Sequence, residues 1–480
     1  MQSIEKIIKE KILDIYSNDI KGVVANSEDV LEGYVFFVLS GNAGRYVKDA
    51  VKRGAILVVL PTAIDADLDE KFEHYVYFDD IHIAYSILSS KVYSGQPKNL
   101  VAVTGTNGKT SVVRMLYRLF DYNHRTAVSL GTIGIQSNIE LDSGLIQQNI
   151  TTPDAGALHK TMSVLYKAGV QNAFIEMSSH GLKQRRGDSL AYSFVAFTNL
   201  SRDHLDYHSS YEEYFHVKLR LFSALMRQDT VAIINSDIPE YKALKSSVGE
   251  RVCIEYGFNA KGDDAIVLLE QKPLGSNGQV IKYAHNGRHF EITTALFGKF
   301  QIYNIAIVLA IAHKLSLESF DFTKDLMIHG RMDLVCNKPR VLIDFAHTPD
   351  ALYSLISSVR WHYPTDKIIL IFGCGGDRDR GKRKLMGRIA YEYADKIIIC
   401  NDNVRYEDED QIISDILKGI EGKDFFIIKN RVSAVEFAMK NYQDHIIVLA
   451  GRGHEKKQYI GDTIISHSDY DIFKRLLKTI

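Results

Sequence analysis

The sequence predicts an α/β protein of three domains, with a P-loop-type sheet in the middle and a Rossmann-like sheet at the C-terminal end. Three observations predict it. The chain has 480 residues, which at roughly 100 to 200 residues per domain is enough for about three separate cores. Short apolar runs recur with helical patterns between them, the rhythm of βαβ units. One of these runs leads directly into a glycine loop followed by a helix.

From about residue 20 to 95, Tyr34-Val35-Phe36-Phe37-Val38-Leu39 and Ala55-Ile56-Leu57-Val58-Val59-Leu60 read as strands, and the turn residues Ser94-Gly95-Gln96-Pro97 close the segment. This defines a first domain, 1–95. The second, 96–328, carries buried-strand runs at Leu100 to Val103, Ala173 to Glu176, Phe194 to Phe197 and Val231 to Ile234. Its later part, Gln279 to Ala295, alternates on both sides of His285-Asn286-Gly287 and reads as a hairpin. The third, 329–480, repeats the rhythm at Val341 to Ile343, Ile368 to Phe372, Ile397 to Ile399, Phe425 to Ile428 and Ile446 to Leu449.

Composition excludes several function classes. With 58 Lys plus Arg against 59 Asp plus Glu, the chain has no basic excess to attract a nucleic-acid backbone. Its four cysteines form no CxxC pair, which favours reduced thiols in a cytoplasmic setting over disulfides or a zinc ribbon. Neither an apolar leader nor a run long enough to span a bilayer is visible, so membrane insertion is not expected. Gly373-Cys374-Gly375-Gly376 lacks the third glycine of a dinucleotide fingerprint, which sets NAD aside.

The strand at Leu100 to Val103 runs into Thr104-Gly105-Thr106-Asn107-Gly108-Lys109-Thr110-Ser111. The glycines let backbone N–H groups turn toward an anion, and the next helix adds its positive end. Lys109 can then reach the β and γ phosphates of a nucleotide while Thr110 ligates Mg²⁺. Val103 stands where the commonest P-loop has its first glycine, so this loop is two residues tighter. Glu176 closes a buried strand, where an acidic residue faces the ligand crevice.

The words GTNGKTS (105–111), EMSSHGL (176–182), NLSRDHLDYH (199–208), IDFAHTPDAL (343–352), FGCGGDRDRGKR (372–383) and AGRGHE (450–455) together resemble the Mur ligase family. The wording, with TTPD at Thr151 to Asp154, is most similar to the members that add the third residue of the peptidoglycan stem. That resemblance implies a three-domain fold and an ATP-dependent amide ligase. ATP phosphorylates the side-chain carboxylate of UDP-MurNAc-L-Ala-D-Glu, and a diamino acid amine attacks the resulting acyl phosphate. Mg²⁺ is implied as cofactor, two ions in all, with a cytoplasmic monomer as the working form.

The site residues follow from matching positions. Glu176 and His204 resemble metal ligands, Asp203 less firmly so, and Lys218 matches a lysine that CO₂ carbamylates into a further magnesium ligand. Lys109, Glu176, His204 and Lys218 are the implied catalytic set. Gly105, Thr106, Asn107, Gly108, Lys109, Thr110, Ser111, Asn304, Arg331 and Asp344 match ATP contacts, with His347 nearby. Thr151, Thr152, Ser178, Gln184 and Arg186 match contacts to the muropeptide precursor. An ST-turn or helix cap is the plainer reading of the two threonines.

Asp402-Asn403-Val404-Arg405 resembles the DNPR word of the meso-diaminopimelate-adding subgroup. Arg378 and Arg405 are expected at the distal carboxylate, with Asp402, Asn403, Gly451 and Glu455 around the distal ammonium. L-Lysine or another diamino acid is the alternative substrate, because Val404 replaces proline and frees the loop. The N-terminal words depart most: Asn26-Ser27-Glu28-Asp29-Val30 and Gly41-Asn42-Ala43-Gly44-Arg45-Tyr46 replace the usual ones, leaving Ser27 as the candidate uridine contact. Two rivals stand beside this reading. One is another ligase on the same scaffold, a folylpolyglutamate synthase or a secondary-metabolite paralogue; the other is a nucleotide-binding regulator without ligation.

Overall fold

Parallel strands joined by helices build three sheets in chain order. The structure is a computed structural model that describes residues 2–16, 18–39, 43–64, 68, 71–141, 150–317, 319–320, 322, 328–422 and 424–477. The Gly41-Asn42 part of the altered N-terminal word lies outside them. Strands β1 (Gly22–Val24), β2 (Tyr34–Phe37), β3 (Ala55–Pro61) and β4 (Tyr75–Phe78) form a parallel sheet in sequential order. The helix Ile81–Val92 presses Ile83, Tyr85, Ile87 and Leu88 into the core beside it.

The central sheet contains β5 (Asn99–Thr104), β6 (Ala127–Gly131), β7 (Gly134–Ser137), β8 (Asn172–Glu176) and β9 (Phe194–Phe197). It continues through β10 (Val231–Asn235), β11 (Cys253–Gly257), β12 (Ile266–Pro273), β13 (Gln279–His285) and β14 (Arg288–Thr294). The spatial order is β14-β13-β12-β11-β10-β9-β5-β8-β6-β7. Strand β5 lies between β8 and β9, both parallel to it, so three carboxyl ends open on one crevice, where such sheets bind ligands. The hairpin expected at Asn286-Gly287 is present, and both residues have positive φ. The sequence reading passed over β6, β7, β11 and β12, whose short or half-polar runs give weak periodic signals.

The third sheet holds β15 (Asp333–Asn337), β16 (Arg340–Asp344), β17 (Ile368–Phe372), β18 (Lys396–Ile399), β19 (Phe425–Ile427) and β20 (Ile446–Ala450). Their order is β15-β16-β20-β17-β18-β19, parallel except for β15. A separate hairpin, β21 (Lys457–Ile460) with β22 (Thr463–Ser466), follows. Gly373, Gly375 and Gly376 are explained by packing: a Cβ on Gly373 would stand 2.1 Å from Cys400 O, and one on Gly376 1.9 Å from Val404 O. Among the described residues, no helix is long and apolar enough to cross a membrane.

One buried ion pair ties this last unit together. Arg431 donates to Asp469 through Nε at 2.8 Å and Nη2 at 2.7 Å, with both side chains fully buried. Burial alone would raise the Asp469 carboxyl, but Arg431 outweighs it and holds the group well below the usual carboxylate range. The pair therefore stabilises fully above the unfolded value near ~4 and loses its effect only as the pH falls through the lower folded value. Asp469→Ala is expected to cost about 3–5 kcal/mol, because it leaves a buried guanidinium unpaired. Urea unfolding checks this; a loss below about 1 kcal/mol would refute it.

Candidate active site

The loop after β5 is shaped by its two glycines. Gly105 and Gly108 have φ of +140° and +89°, and a Cβ would meet Thr198 Oγ1 at 1.9 Å and Asn304 Oδ1 at 2.5 Å. The loop is clasped from the end of β9. Thr106 N donates to Asn199 O at 2.9 Å, Asn107 N to Asn199 Oδ1 at 3.0 Å, and Thr198 Oγ1 to Asn107 O at 2.6 Å. Helix Lys109–Tyr122 starts where the loop ends. From its first turn, Lys109 Nζ reaches back to Gly105 O at 2.9 Å and Thr106 O at 2.8 Å.

Lys218, from helix Tyr211–Ser223, donates to the same Gly105 O at 2.8 Å. The nitrogens of two lysines thus share one carbonyl inside the protein. Burial, then the charge of Lys109, pushes the Lys218 amine well below its ordinary value, and burial lowers Lys109 too. This favours the neutral amine at Lys218, the form able to react as a nucleophile.

Opposite stands Glu176 at the end of β8, 2% exposed. It accepts from Thr110 Oγ1 at 2.9 Å, from Thr132 N at 2.9 Å and from Thr132 Oγ1 at 3.1 Å. The facing oxygens of Thr110 and Glu176 are a hard donor set of the kind Mg²⁺ prefers. No group of three or more His, Cys, Asp or Glu converges as a metal cage among the described residues. A magnesium site built from one carboxylate plus nucleotide phosphates does not require one. His204 has a left-handed φ of 53°, and its Nε2 lies 3.4 Å from Asp203 Oδ2. Burial, above all, depresses the imidazole, keeping it in the neutral form that ligates metals.

The third unit closes over this floor. Arg331 Nη2 comes within 3.5 Å of Thr110 Oγ1 while its guanidinium stacks 4.5 Å from the Phe345 ring centroid. Asp344 accepts from Met332 N at 2.6 Å and Ala346 N at 2.7 Å, so its carboxylate both orders the strand exit and borders the cavity. Arg202 pairs with Asp379 at 3.0 Å across the same boundary, and His347 Nε2 lies 3.9 Å from Asp203. The result is one cavity of about 510 Å³. It is lined by the loop 106–111, Thr151, Glu176, Asp203, His204, Asn304, Arg331, Asp344 and His347.

The same cavity has a wall that the sequence reading missed. Asn235, Asp237, Ile238, Phe300 and Tyr303 complete it, with Tyr303 OH donating to Asp237 Oδ2 at 3.1 Å. These residues come from the ends of β10 and the start of helix Gln301–Lys314, and no motif joins them in sequence. Asn304 does match a family word; its Nδ2 donates to Gln301 Oε1 at 2.9 Å, leaving Oδ1 against the loop. Lys382, also missed, is buried and adds a cation near Asp203 and His347.

The muropeptide candidates cluster beside Glu176, partly through internal bonds. Thr152 Oγ1 donates to Glu176 O at 2.8 Å and accepts from Ser178 N at 2.9 Å, and Ser178 Oγ caps the next helix by accepting from Gly181 N at 3.0 Å. Thr152 Oγ1 therefore serves the turn, the plainer of the two roles considered for the threonines, while Ser178 Oγ accepts from Gly181 N and Thr152 Oγ1. Thr151 Oγ1 faces Thr132 Oγ1 at 3.1 Å and opens on the cavity. Gln184 Oε1 accepts from Arg186 Nε at 3.0 Å and Nη2 at 2.7 Å, and Arg186 Nη1 caps Thr152 O. Ser27 is apart from this group: it is buried in a 3-10 turn, bonded to Asp49, and is not among the cavity-lining residues.

The diamino acid candidates gather at the carboxyl ends of β18 and β20. Asn403 Nδ2 donates to Glu455 Oε2 at 3.1 Å, and Gly451 approaches Asp402 so closely that a Cβ would lie 3.0 Å from Oδ2. Arg405 Nη1 donates to Gly376 O at 2.8 Å and Asn403 O at 3.4 Å. Arg378 stands on the other side of Gly375. Where Val404 stands in place of proline, hairpin β21-β22 braces the next residue: Arg405 N donates to Tyr459 O at 3.0 Å and Gly461 N to Arg405 O at 2.6 Å.

Residues 103–312 match the Mur ligase middle domain and residues 330–453 the Mur ligase, glutamate ligase domain. The chain belongs to the Mur ligase family. A UDP-N-acetylmuramoyl-L-alanyl-D-glutamate–2,6-diaminopimelate ligase of Anaplasma marginale is 36% identical over 488 residues, covering 99% of this chain and 98% of its own. The protein of the same name from Rickettsia rickettsii is 34% identical over 472 residues, 96% of each chain. A solved structure of a ligase of that name superposes with a TM-score of 0.63 at 27% identity, covering 96% of this chain and 95% of that one.

Proposed function

We propose that this chain is the ATP-dependent ligase that joins meso-diaminopimelate to UDP-MurNAc-L-Ala-D-Glu in cytoplasmic peptidoglycan precursor synthesis. The observation that carries the reading is the single cavity in which Lys109, Thr110 and Glu176 from one sheet meet Arg331 from another. The three sheets correspond to domains 1–95, 96–328 and 329–480, one for the UDP end, one for ATP and one for the amino acid. The working form is a monomer.

A carboxylate attacking a γ-phosphate brings two anions together, so positioning and cations supply most of the rate. Loop N–H groups and the helix start cradle the phosphates, and Lys109 and Arg331 place charge on either side of them. The D-glutamate carboxylate oxygen attacks γ-phosphorus, ADP leaves, and an acyl phosphate forms. The free amine of diaminopimelate adds to the acyl carbon and loses a proton, and phosphate departs as the amide forms. Closure of the third domain keeps water from the acyl phosphate. Thr110 with Glu176, and His204 with a carbamylated Lys218, would hold two Mg²⁺ ions, which supply charge neutralisation for the transferring phosphoryl group.

Purified protein with ATP, Mg²⁺ and UDP-MurNAc-L-Ala-D-Glu is expected to release phosphate with meso-diaminopimelate and far less with L-lysine. Release with neither amino acid ends the proposal. Oxygen-18 in the glutamate carboxylate is expected to pass into phosphate.

The Lys218 modification has its own readout. Burial beside Lys109 favours its neutral amine, the form that takes up CO₂. Intact-mass measurement under native conditions, or ¹³C NMR with labelled bicarbonate, is expected to show one added CO₂ on active enzyme. Lys218→Arg, which stays charged, is expected to lose roughly 10²-fold in turnover. Fully active enzyme with an unmodified amine would exclude the carbamate.

A further inference from the structure

The amide of Asn403 can be oriented in only one way. Its Oδ1 lies 3.1 Å from Arg452 Nη1 and 3.0 Å from Tyr459 N, and its Nδ2 lies 3.1 Å from Glu455 Oε2. A guanidinium and a backbone N–H only donate and a carboxylate accepts, so oxygen and nitrogen are assigned without ambiguity. Both lone pairs of Oδ1 are then used. Asn403 has no acceptor left for an ammonium; its remaining capacity is its second N–H.

Arg452 enforces this orientation. Its side chain is fully buried, its Nη2 is anchored on Lys457 O at 2.7 Å, and Nη1 stands 3.9 Å from Asp402 Oδ1 and 3.6 Å from Glu455 Oε2. One guanidinium thus holds the amide oxygen and lies between two carboxylates that would otherwise repel each other. Beyond Asn403, Arg405 and Arg378 flank Gly375, and the hydrogen bonds of the Arg405 guanidinium run to carbonyl oxygens. The cluster therefore has two poles. Donors gather at Asn403 and the two arginines, acceptors at Asp402 and Glu455.

We infer that Arg452 is a positioning residue for amino-acid choice: by occupying the oxygen of Asn403 it turns that amide into a donor facing the distal carboxylate of the amino acid. This moves Asn403 from the ammonium end, where the sequence placed it, to the carboxylate end. The inference rests on the diamino acid reading of this site. Lysine, lacking the carboxylate, leaves three donors unmet and is rejected for that reason.

The test compares wild type, Asn403→Asp and Arg452→Met, reading KM for meso-diaminopimelate, L-lysine and ATP together with the melting temperature. Asn403→Asp keeps an acceptor for Arg452 and Tyr459 but loses the donor to Glu455 and sets a second carboxylate against it, so its melting temperature should fall modestly while the fold is retained. Its new negative charge faces the distal carboxylate, so KM for diaminopimelate should rise roughly tenfold or more and the preference over lysine should shrink, with KM for ATP little changed. Arg452→Met should raise the same KM, and Arg452→Lys should restore part of it. If Asn403→Asp keeps the wild-type KM and preference, the inference is overturned; this variant decides alone if Arg452→Met does not fold. Wild type that releases no phosphate with either amino acid would instead remove the reading underneath.

Discussion

Lys109→Met is expected to lower kcat/KM for ATP by roughly 10³-fold or more, about 4 kcal/mol of transition-state stabilisation. Methionine fills the buried path of the lysine stem but puts no charge beside the phosphates. The melting temperature should change little, because the bonds lost to Gly105 O and Thr106 O are offset by release of a buried charge. Burial depresses the Lys109 amine, so its charged form costs the folded state free energy, stability rises as the amine deprotonates, and removing the charge relieves that cost. Phosphate release and thermal unfolding measured on one preparation separate the two effects. Activity within tenfold of wild type would show that Lys109 does not face the phosphates, and a collapse of both quantities would make it structural.

Glu176→Gln is expected to lose about 10³-fold in turnover while the fold is retained. The amide oxygen still accepts from Thr132 N, and the hydroxyls of Thr110 and Thr132 rotate to accept from the new NH₂. Only the charge is removed. The loss should be partly offset at high Mg²⁺, which shifts the midpoint of the magnesium titration upward. An unchanged magnesium midpoint would mean that Glu176 serves only to orient Thr110 and Thr132.

Motifs contiguous in sequence are legible from the residues alone. The phosphate loop, the strand that ends at Glu176 and the 402–405 loop each announce themselves, because a tight turn, a buried run or a paired charge is a local requirement. The hairpin at Asn286-Gly287 was legible for the same reason, since positive φ on two successive residues selects that dipeptide. Strands β11 and β12 were not, because their burial is conferred by neighbours across the sheet rather than by their own alternation. Tyr303 and Asp237 lie 66 positions apart and share the cavity wall through one hydrogen bond. Lys382 and Arg452 look like ordinary cations in their words until their burial is known.

The sequence by itself determined the local pieces of the candidate site: a glycine loop able to cradle an anion, a buried strand-end carboxylate, and two separate loops that carry Arg378 and Arg405. Local geometry dictates those features, and neighbouring residues suffice to write them. Only the tertiary structure decided which atoms of those residues remain free to bind. Thr152 commits its hydroxyl to Glu176 O and Ser178 N, Ser178 Oγ accepts from Gly181 N, and the oxygen of Asn403 is taken by Arg452 and Tyr459. The physical reason is that hydrogen-bonding capacity is finite and is first satisfied by partners brought from distant parts of the chain.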